Sequence, residues 1–207
     1  MSATSIILEV MNTHLWCAHY PKMEMQTNCT YAHLKPALAF RVSGLVLDKN
    51  YTVSLSLRLW DKKKYQYLAG KWKWQSTEDE LPNASRVVQH GFGIKNGEHW
   101  MKRAFSFGDI KICNRAQFVS GNTIQLEMGY KYVPVIRIQE VDKPDNVIEF
   151  KVRVAQFYAV TRFKNPEIAL WKKDIPHKFY ERVMIKQEKQ DDDKIGIQDE
   201  GLKFFIS

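Results

Sequence analysis

The sequence predicts a mostly β protein, an antiparallel sandwich or barrel that ends in short helices. Period-two apolar patterns recur along most of the 207 residues. Turn signals separate them at roughly even spacing. The strongest helix-start signal comes late, at Asn165-Pro-Glu167.

The elements follow from these patterns. In Tyr51–Trp60, Val53, Leu55, Leu57 and Leu59 share one face while Ser54, Ser56 and Arg58 share the other, the pattern of a half-buried strand. In Val147–Val154, Ile148, Phe150, Val152 and Val154 alternate with Glu149, Lys151 and Arg153. Leu38–Leu45, Thr123–Met128 and Val133–Val141 are also strand-like. Turns are expected at Leu47-Asp-Lys-Asn50, Ala69-Gly70, Ser120-Gly-Asn122 and Asp142-Lys-Pro-Asp-Asn146. At Asn165-Pro-Glu167, Asn caps, Pro suits the first helical position and Glu meets the positive end of the helix dipole. Ile168 and Trp171 then face inward, and Pro176 ends this helix or separates it from a second short one around Lys178–Met184. The remainder, 187–207, is polar, and Leu202–Ile206 is a segment able to dock back. The expected organisation is a short tail over 1–7, one domain over 8–186 and a polar tail over 187–207.

Hydrophobic residues make up 44% of the chain, enough for a sizeable core. The net charge of +8 and pI near 9.3 favour nucleic acid or an anionic surface as partner. The three cysteines, Cys17, Cys29 and Cys113, fit neither a disulfide framework nor a zinc site, so reduced thiols are expected. No signal peptide and no apolar run long enough to span a membrane are read. The six histidines show no metal-ligand spacing. No nucleophile elbow or phosphate-binding loop occurs, and Gly91-Phe-Gly93 lacks a following helix signal. Neither an enzyme nor a cofactor is expected.

The stretch Gln156–Lys173 carries the functional reading. An apolar strand runs directly into the helix, which fixes Arg162 and Lys164 at its entry and Lys172 and Lys173 near its end. Residues 151–186 hold nine Lys/Arg against three Asp/Glu, the electrostatic footprint of a surface for a phosphate backbone. Arg162, Lys164, Lys172, Lys173, Lys178 and Arg182 are the candidate phosphate contacts. Backbone N–H groups near Thr161–Asn165 are expected to face a phosphate too. Phe163 is read as part core and part contact, while His177, Phe179 and Tyr180 are candidates for a groove. Lys102 and Arg103 are candidate backbone contacts. Asp61-Lys-Lys-Lys64 reads as a solvated run in a hairpin-like loop, with distal phosphate contact as the alternative. Trp72 and Trp74 read as packing residues, and His99 as satisfying a buried backbone group.

The same stretch resembles the T-box (Brachyury-like) DNA-binding family, whose pattern there runs approximately QFIAVTxYQNxxIxxLK. Further blocks keep the order. Leu8-Glu-Val with Leu15-Trp16 resembles VEL…LW, and Glu24-Met25, Pro36 and Val42-Ser-Gly-Leu45 resemble EM…FP…VSGL. Asp61, Tyr67, Gly70 and Trp72 resemble D…KYxxGxW, and Gly97-Glu-His-Trp-Met-Lys102 with Ser106-Phe107 resembles GAHWMK…SF. Asn114, Leu126, Lys131-Tyr132 and Pro134 match LTN…LHKYxP. The resemblance spans about Leu8 to Phe179. It implies an immunoglobulin-like β-sandwich with C-terminal helices, nuclear location, developmental transcription regulation and sequence-specific binding of double-stranded DNA. Partners are then duplex DNA and other transcription regulators, with the chain a monomer or weak dimer on DNA.

Two departures stand out. By spacing from Glu24 and Pro36, the guanine-reading arginine pair of the family falls at Ala32 and His33, and the following aromatic is Lys35. Neither Ala nor neutral His reproduces a bidentate Arg–guanine contact. The final family helix, NPFAKxF, corresponds to Ile175-Pro-His-Lys-Phe-Tyr-Glu-Arg182, where basic and aromatic character persists without a one-to-one match. Because the domain fills most of the sequence, a repressor, a competitor for sites or a partner of other regulators is expected. The alternative is a sandwich interaction module in which DNA binding is lost or weakened. A ligand-binding or structural β-sandwich is a third reading.

Overall fold

The computed structural model describes residues 5–27, 32–76, 80–82, 86–175 and 202–204. In chain order the elements are β1 (Ile7–Val10), α1 (Thr13–Cys17), β2 (Glu24–Gln26), β3 (Ala32–His33), β4 (Ala39–Ser43), β5 (Asn50–Leu68), β6 (Lys71–Gln75), β7 (Val88–Gln89), β8 (Lys95–Asn96) and α2 (Gly97–Lys102). There follow β9 (Phe105–Ser106), β10 (Lys111–Cys113), β11 (Thr123–Gln125), β12 (Tyr130–Glu140), β13 (Val147–Lys151), β14 (Phe157–Val160), α3 (Pro166–Asp174) and β15 (Leu202–Phe204).

The chain folds as a mostly antiparallel β-sandwich. Its largest sheet runs β2-β14-β12-β5-β6, with β13 beside β12 and β7 and β8 beside β5. A second sheet runs β15-β1-β4-β9, and a small third runs β11-β10-β3. Two pairings are parallel, β2 with β14 and β10 with β11.

The β5–β12 pair is the spine. Val53 faces Ile138, Leu55 faces Ile136 and Leu57 faces Pro134, so the alternation read from the sequence becomes a row of apolar cross-strand pairs. Trp16, Phe40, Trp100, Phe105, Phe107 and Phe157 fill the space between the layers, each nearly or fully excluded from solvent. The turns at Leu47–Lys49, Ala69-Gly70, Gly121-Asn122 and Asp142–Asp145 fall where expected. At the hairpin joining β5 and β6, Ala69 (φ 50°) and Gly70 (φ 77°) both take the left-handed conformation that a tight two-residue connection demands.

Four readings change. Asp61–Lys64 is not a loop but part of β5, which runs 19 residues to Leu68. Register slips beside it, between the Tyr130 and Tyr132 pairings, so a bulge carries the charges. Ser54 and Ser56 are buried, because the longer Arg137 and Val135 sit opposite them and an Arg58–Glu149 pair spans the same region of the sheet. Val147–Val154 is a shorter strand, ending at Lys151 before a 3-10 turn over Arg153–Ala155. His99 offers its ring edge-on to Phe92 and leaves Nε2 without a partner. It is His90 that serves the backbone, with Nε2 3.1 Å from Ser106 O and Nδ1 accepting from the Phe92 amide. Of the tail, Leu202–Phe204 pairs antiparallel with β1.

Candidate nucleic-acid interface

The interface is built where β14 hands over to α3. All four residues of β14 are buried, and β2 lies parallel beside it. Beyond Val160 the chain emerges, and Thr161, Arg162 and Lys164 are exposed. The Thr161 carbonyl accepts from Gln26 Nε2 at 3.1 Å, which ties the emerging loop to β2. Asn165 caps α3 through its side-chain oxygen, which accepts from the Glu167 amide at 2.9 Å. Ile168 is buried, Trp171 packs on the core, and the His19 ring meets Trp171 edge-on at 4.7 Å. α3 stops at Asp174, ahead of Pro176.

Glu24 organises this junction, and it escaped the sequence reading as a functional residue. It is fully buried on β2. One carboxylate oxygen accepts from the Lys164 amide at 2.7 Å and from the Asn165 amide at 3.4 Å, and the other accepts from Trp72 Nε1 at 3.2 Å. Burial pushes its pKa up, while the two backbone amides, the Trp72 indole and the nearby Lys172 ammonium pull it down. The sequence signals were its place in the EM block of the resemblance and an acid set between two methionines, Met23 and Met25, in a run that becomes buried.

This arrangement corrects two expectations. The Lys164 and Asn165 amides already serve Glu24, so they do not face a phosphate. Lys172 is not among the outward cations. It is 6% exposed, with Nζ donating to the Glu24 carbonyl and to Met25 Sδ and lying 5.5 Å over the Phe163 ring. Burial holds its pKa well below the usual lysine value. Helical geometry explains the difference from its neighbour: α3 rotates about 100° per residue, so Lys172 turns toward β2 while Lys173 turns out.

The fold brings His33 and Lys35 to the same place. A cleft of about 550 Å³ lies between β3 and α3, lined by Met25, Gln26, Ala32, His33, Lys35, Phe163, Ala169, Lys172 and Lys173. His33 is exposed on β3, opposite Lys111 of β10. Lys35 is half-buried; burial lowers its pKa and Asp174 raises it. Of the two positions aligned with the arginine pair, only His33 turns to solvent, because Ala32 packs against the core.

Lys102 and Arg103 are exposed but belong elsewhere. α2 is anchored by Trp100 Nε1 to the Tyr51 carbonyl at 3.2 Å, and Tyr51 faces Glu140. β14 instead faces the Lys131–Tyr132 end of β12. Eight strand steps separate Tyr132 from Glu140, about 26 Å, so these two cations sit toward the opposite end of the sandwich. His177, Lys178, Phe179, Tyr180 and Arg182, with the expected last helix, lie outside the described residues.

Trp72 packs as expected, stacked on Tyr158 at 4.2 Å with an interplanar angle of 6°. Trp74 does not pack; it is 61% exposed, with Lys63 Nζ 5.4 Å over its ring.

Residues 8–179 match the T-box family. The chain belongs to the T-box family. It is 29% identical over 175 residues to T-box protein 37 of Caenorhabditis elegans, covering 81% of this chain and 56% of that protein. It is 29% identical over 160 residues to T-box transcription factor tbx-8 of the same organism, covering 72% and 50%. With human T-box brain protein 1 it shares 29% identity over 174 residues, covering 79% and 26%. The chain therefore spans between about a quarter and somewhat over half of the length of these T-box relatives.

Proposed function

We propose that this chain is the DNA-binding domain of a nuclear transcription regulator and that it holds duplex DNA against the β14–α3 junction and the cleft beside it. One observation carries the reading. On a T-box fold, Lys173, His33 and Lys35 line one cleft together with Phe163, and the exposed Arg162 and Lys164 flank Phe163 in the chain. Residues some 130 positions apart in sequence thus converge on one basic surface.

The mechanism is non-covalent. Arg162, Lys164 and Lys173 neutralise phosphates and set the register of the duplex. Base selection falls to His33 and Lys35 at the cleft mouth, and to the aromatic residues after Pro176. Glu24 and Lys172 act from inside: one fixes the strand-to-helix corner and the other holds α3 down on β2. The 8–186 unit is the binding domain, and 187–207 lies outside it except where Leu202–Phe204 joins β1. Other transcription regulators are its protein partners, and it binds as a monomer or weak dimer.

A second reading is supported by a specific observation. With Ala32 and His33 in place of an arginine pair, and with the helix amides and Lys172 withdrawn from the surface, fewer contacts remain than the sequence promised. A sandwich module that binds a protein partner fits that reduction. A random-oligonucleotide selection with the full chain, followed by a salt titration, separates the two. Enrichment of one motif and a steep fall in affinity with salt are expected for the DNA reading. No binding to any duplex at low salt is the result that favours the module.

A further inference from the structure

The β5–β6 hairpin forms a second basic surface, on the face of the ribbon opposite the aromatic one that touches the β14–α3 junction. Residues 61–75 carry five lysines and one acid, Asp61. The ladder sets Lys64 opposite Gln75, Gln66 opposite Lys73 and Leu68 opposite Lys71. Those positions share one face of the ribbon. Tyr65, Trp74, Tyr67 and Trp72 share the other, where Asp61 accepts from the Tyr65 hydroxyl at 2.6 Å and Lys63 lies over Trp74. The single acid is thus turned away from Lys64, Lys71 and Lys73, and Lys62 extends the same row. Lys62, Lys71 and Lys73 are exposed. Lys71 and Lys73 stand two residues apart on one strand, about 6.7 Å, close to the step between successive phosphates of one DNA strand.

The ribbon is also firmly attached to the site. Trp72 stacks on Tyr158 of β14, and its indole donates to the Glu24 carboxylate that receives the Lys164 amide. Cationic side chains on a ribbon fixed in this way have a set position relative to the β14–α3 junction.

We infer that the lysine face of the β5–β6 ribbon is a second contact surface for duplex DNA, and that it grips the phosphate backbone flanking the bases read at the cleft. The inference rests on the DNA-binding reading above. It assigns the ribbon affinity without sequence preference, because lysine ammonium groups recognise phosphate as point charges.

The test uses the full chain and a triple variant, Lys62→Gln/Lys71→Gln/Lys73→Gln. All three side chains are exposed, so the fold should survive, and circular dichroism checks it. Binding is titrated with salt on two duplexes that share a selected motif, one ending at the motif and one carrying ten extra base pairs on each side. On the long duplex the variant is expected to bind more weakly by on the order of a hundredfold or more at 0.1 M salt, and its salt slope is expected to be shallower by about 2–3, at about 0.9 per phosphate contact. On the short duplex the two proteins should match, and the selected motif should be the same. Equal affinity and slope for both proteins on the long duplex would overturn the ribbon and leave the cleft reading intact. An equal loss on both duplexes would overturn it as a flank contact. No duplex binding by the unmodified chain would remove the cleft reading and the ribbon with it.

Discussion

Lys172 and Lys173 are adjacent in sequence, and the structure gives them opposite roles. Lys173 is exposed beside the cleft, whereas Lys172 is buried with its ammonium on the Glu24 carbonyl. Lys173→Gln should remove one phosphate contact. The slope of log K against log salt is expected to fall by about 0.9, which at 0.1 M salt is roughly an eightfold loss of affinity. Lys172→Met should leave that slope unchanged. Its effect belongs to stability: replacing a buried ammonium by an apolar chain of similar length is commonly neutral or stabilising. Unfolding free energy is expected within about 1 kcal/mol of the parent or above it by as much as about 2 kcal/mol. A pH dependence goes with this. The folded pKa of Lys172 is depressed, so its contribution is present at high pH and is lost as pH falls through the folded value. The Met variant should therefore gain on the parent as pH falls from about 10 to 7, measured by denaturant midpoints. Salt-dependent fluorescence anisotropy on one duplex supplies the binding half. A slope reduced by about 1 for Lys172→Met, or unchanged for Lys173→Gln, would refute the assignment of inside and outside.

Further consequences can be checked with the same assays. Glu24→Ala strands the Lys164 and Asn165 amides and the Trp72 indole, and should cost about 3 kcal/mol, or a drop in melting temperature of roughly 6–12 °C. Glu24→Gln should cost less than half of that. It should also flatten the pH dependence: the folded pKa of Glu24 is raised, so parent stability is full below the ordinary glutamate value and declines as pH rises through the folded one. Trp72→Phe keeps the stack on Tyr158 but loses the bond to Glu24, with an expected cost of about 1–1.5 kcal/mol by chemical denaturation. His33→Arg should add a bidentate guanine contact worth about 1–3 kcal/mol of discrimination, read as a guanine enriched in oligonucleotide selection, whereas Ala32→Arg should mainly destabilise because Ala32 packs on the core.

Residues whose role depends on their own neighbours in sequence were legible. Asn165, Pro166 and Glu167 specify a helix start by local hydrogen bonding and dihedral preference, and α3 begins there. Val53, Leu55 and Leu57 specify a buried face by period two, and each meets an apolar partner on β12. Residues whose role is set by a distant segment were not. Helical spacing puts Lys172 one turn from the buried Ile168 and Lys173 off that face, but charge composition alone hid this, and only the β2 backbone arriving from 148 residues away gives the buried ammonium its acceptor. The resemblance marks the position of Glu24 but not its role, since the amides and the indole that justify a buried carboxylate come from residues 140, 141 and 48 positions away.

The lysine run at 62–64 failed in another way. A triplet of like charges reads as a loop because a strand buried on one face would hide every second ammonium. β5 avoids that cost by leaving the sandwich before it reaches the run. Past Leu59 its pairing with β12 slips, and from Lys64 on its regular partner is β6, a ribbon whose Gln66, Leu68, Lys71 and Lys73 are exposed while Tyr65 and Trp72 on the other face pack on Tyr158. A long strand tolerates charge where it projects, and a projecting charged strand is where an anionic polymer can be met. The feature that misled the assignment of secondary structure is thus the one that the ribbon uses: the same lysines disfavour a buried sheet and favour a surface held at a fixed distance from the β14–α3 corner.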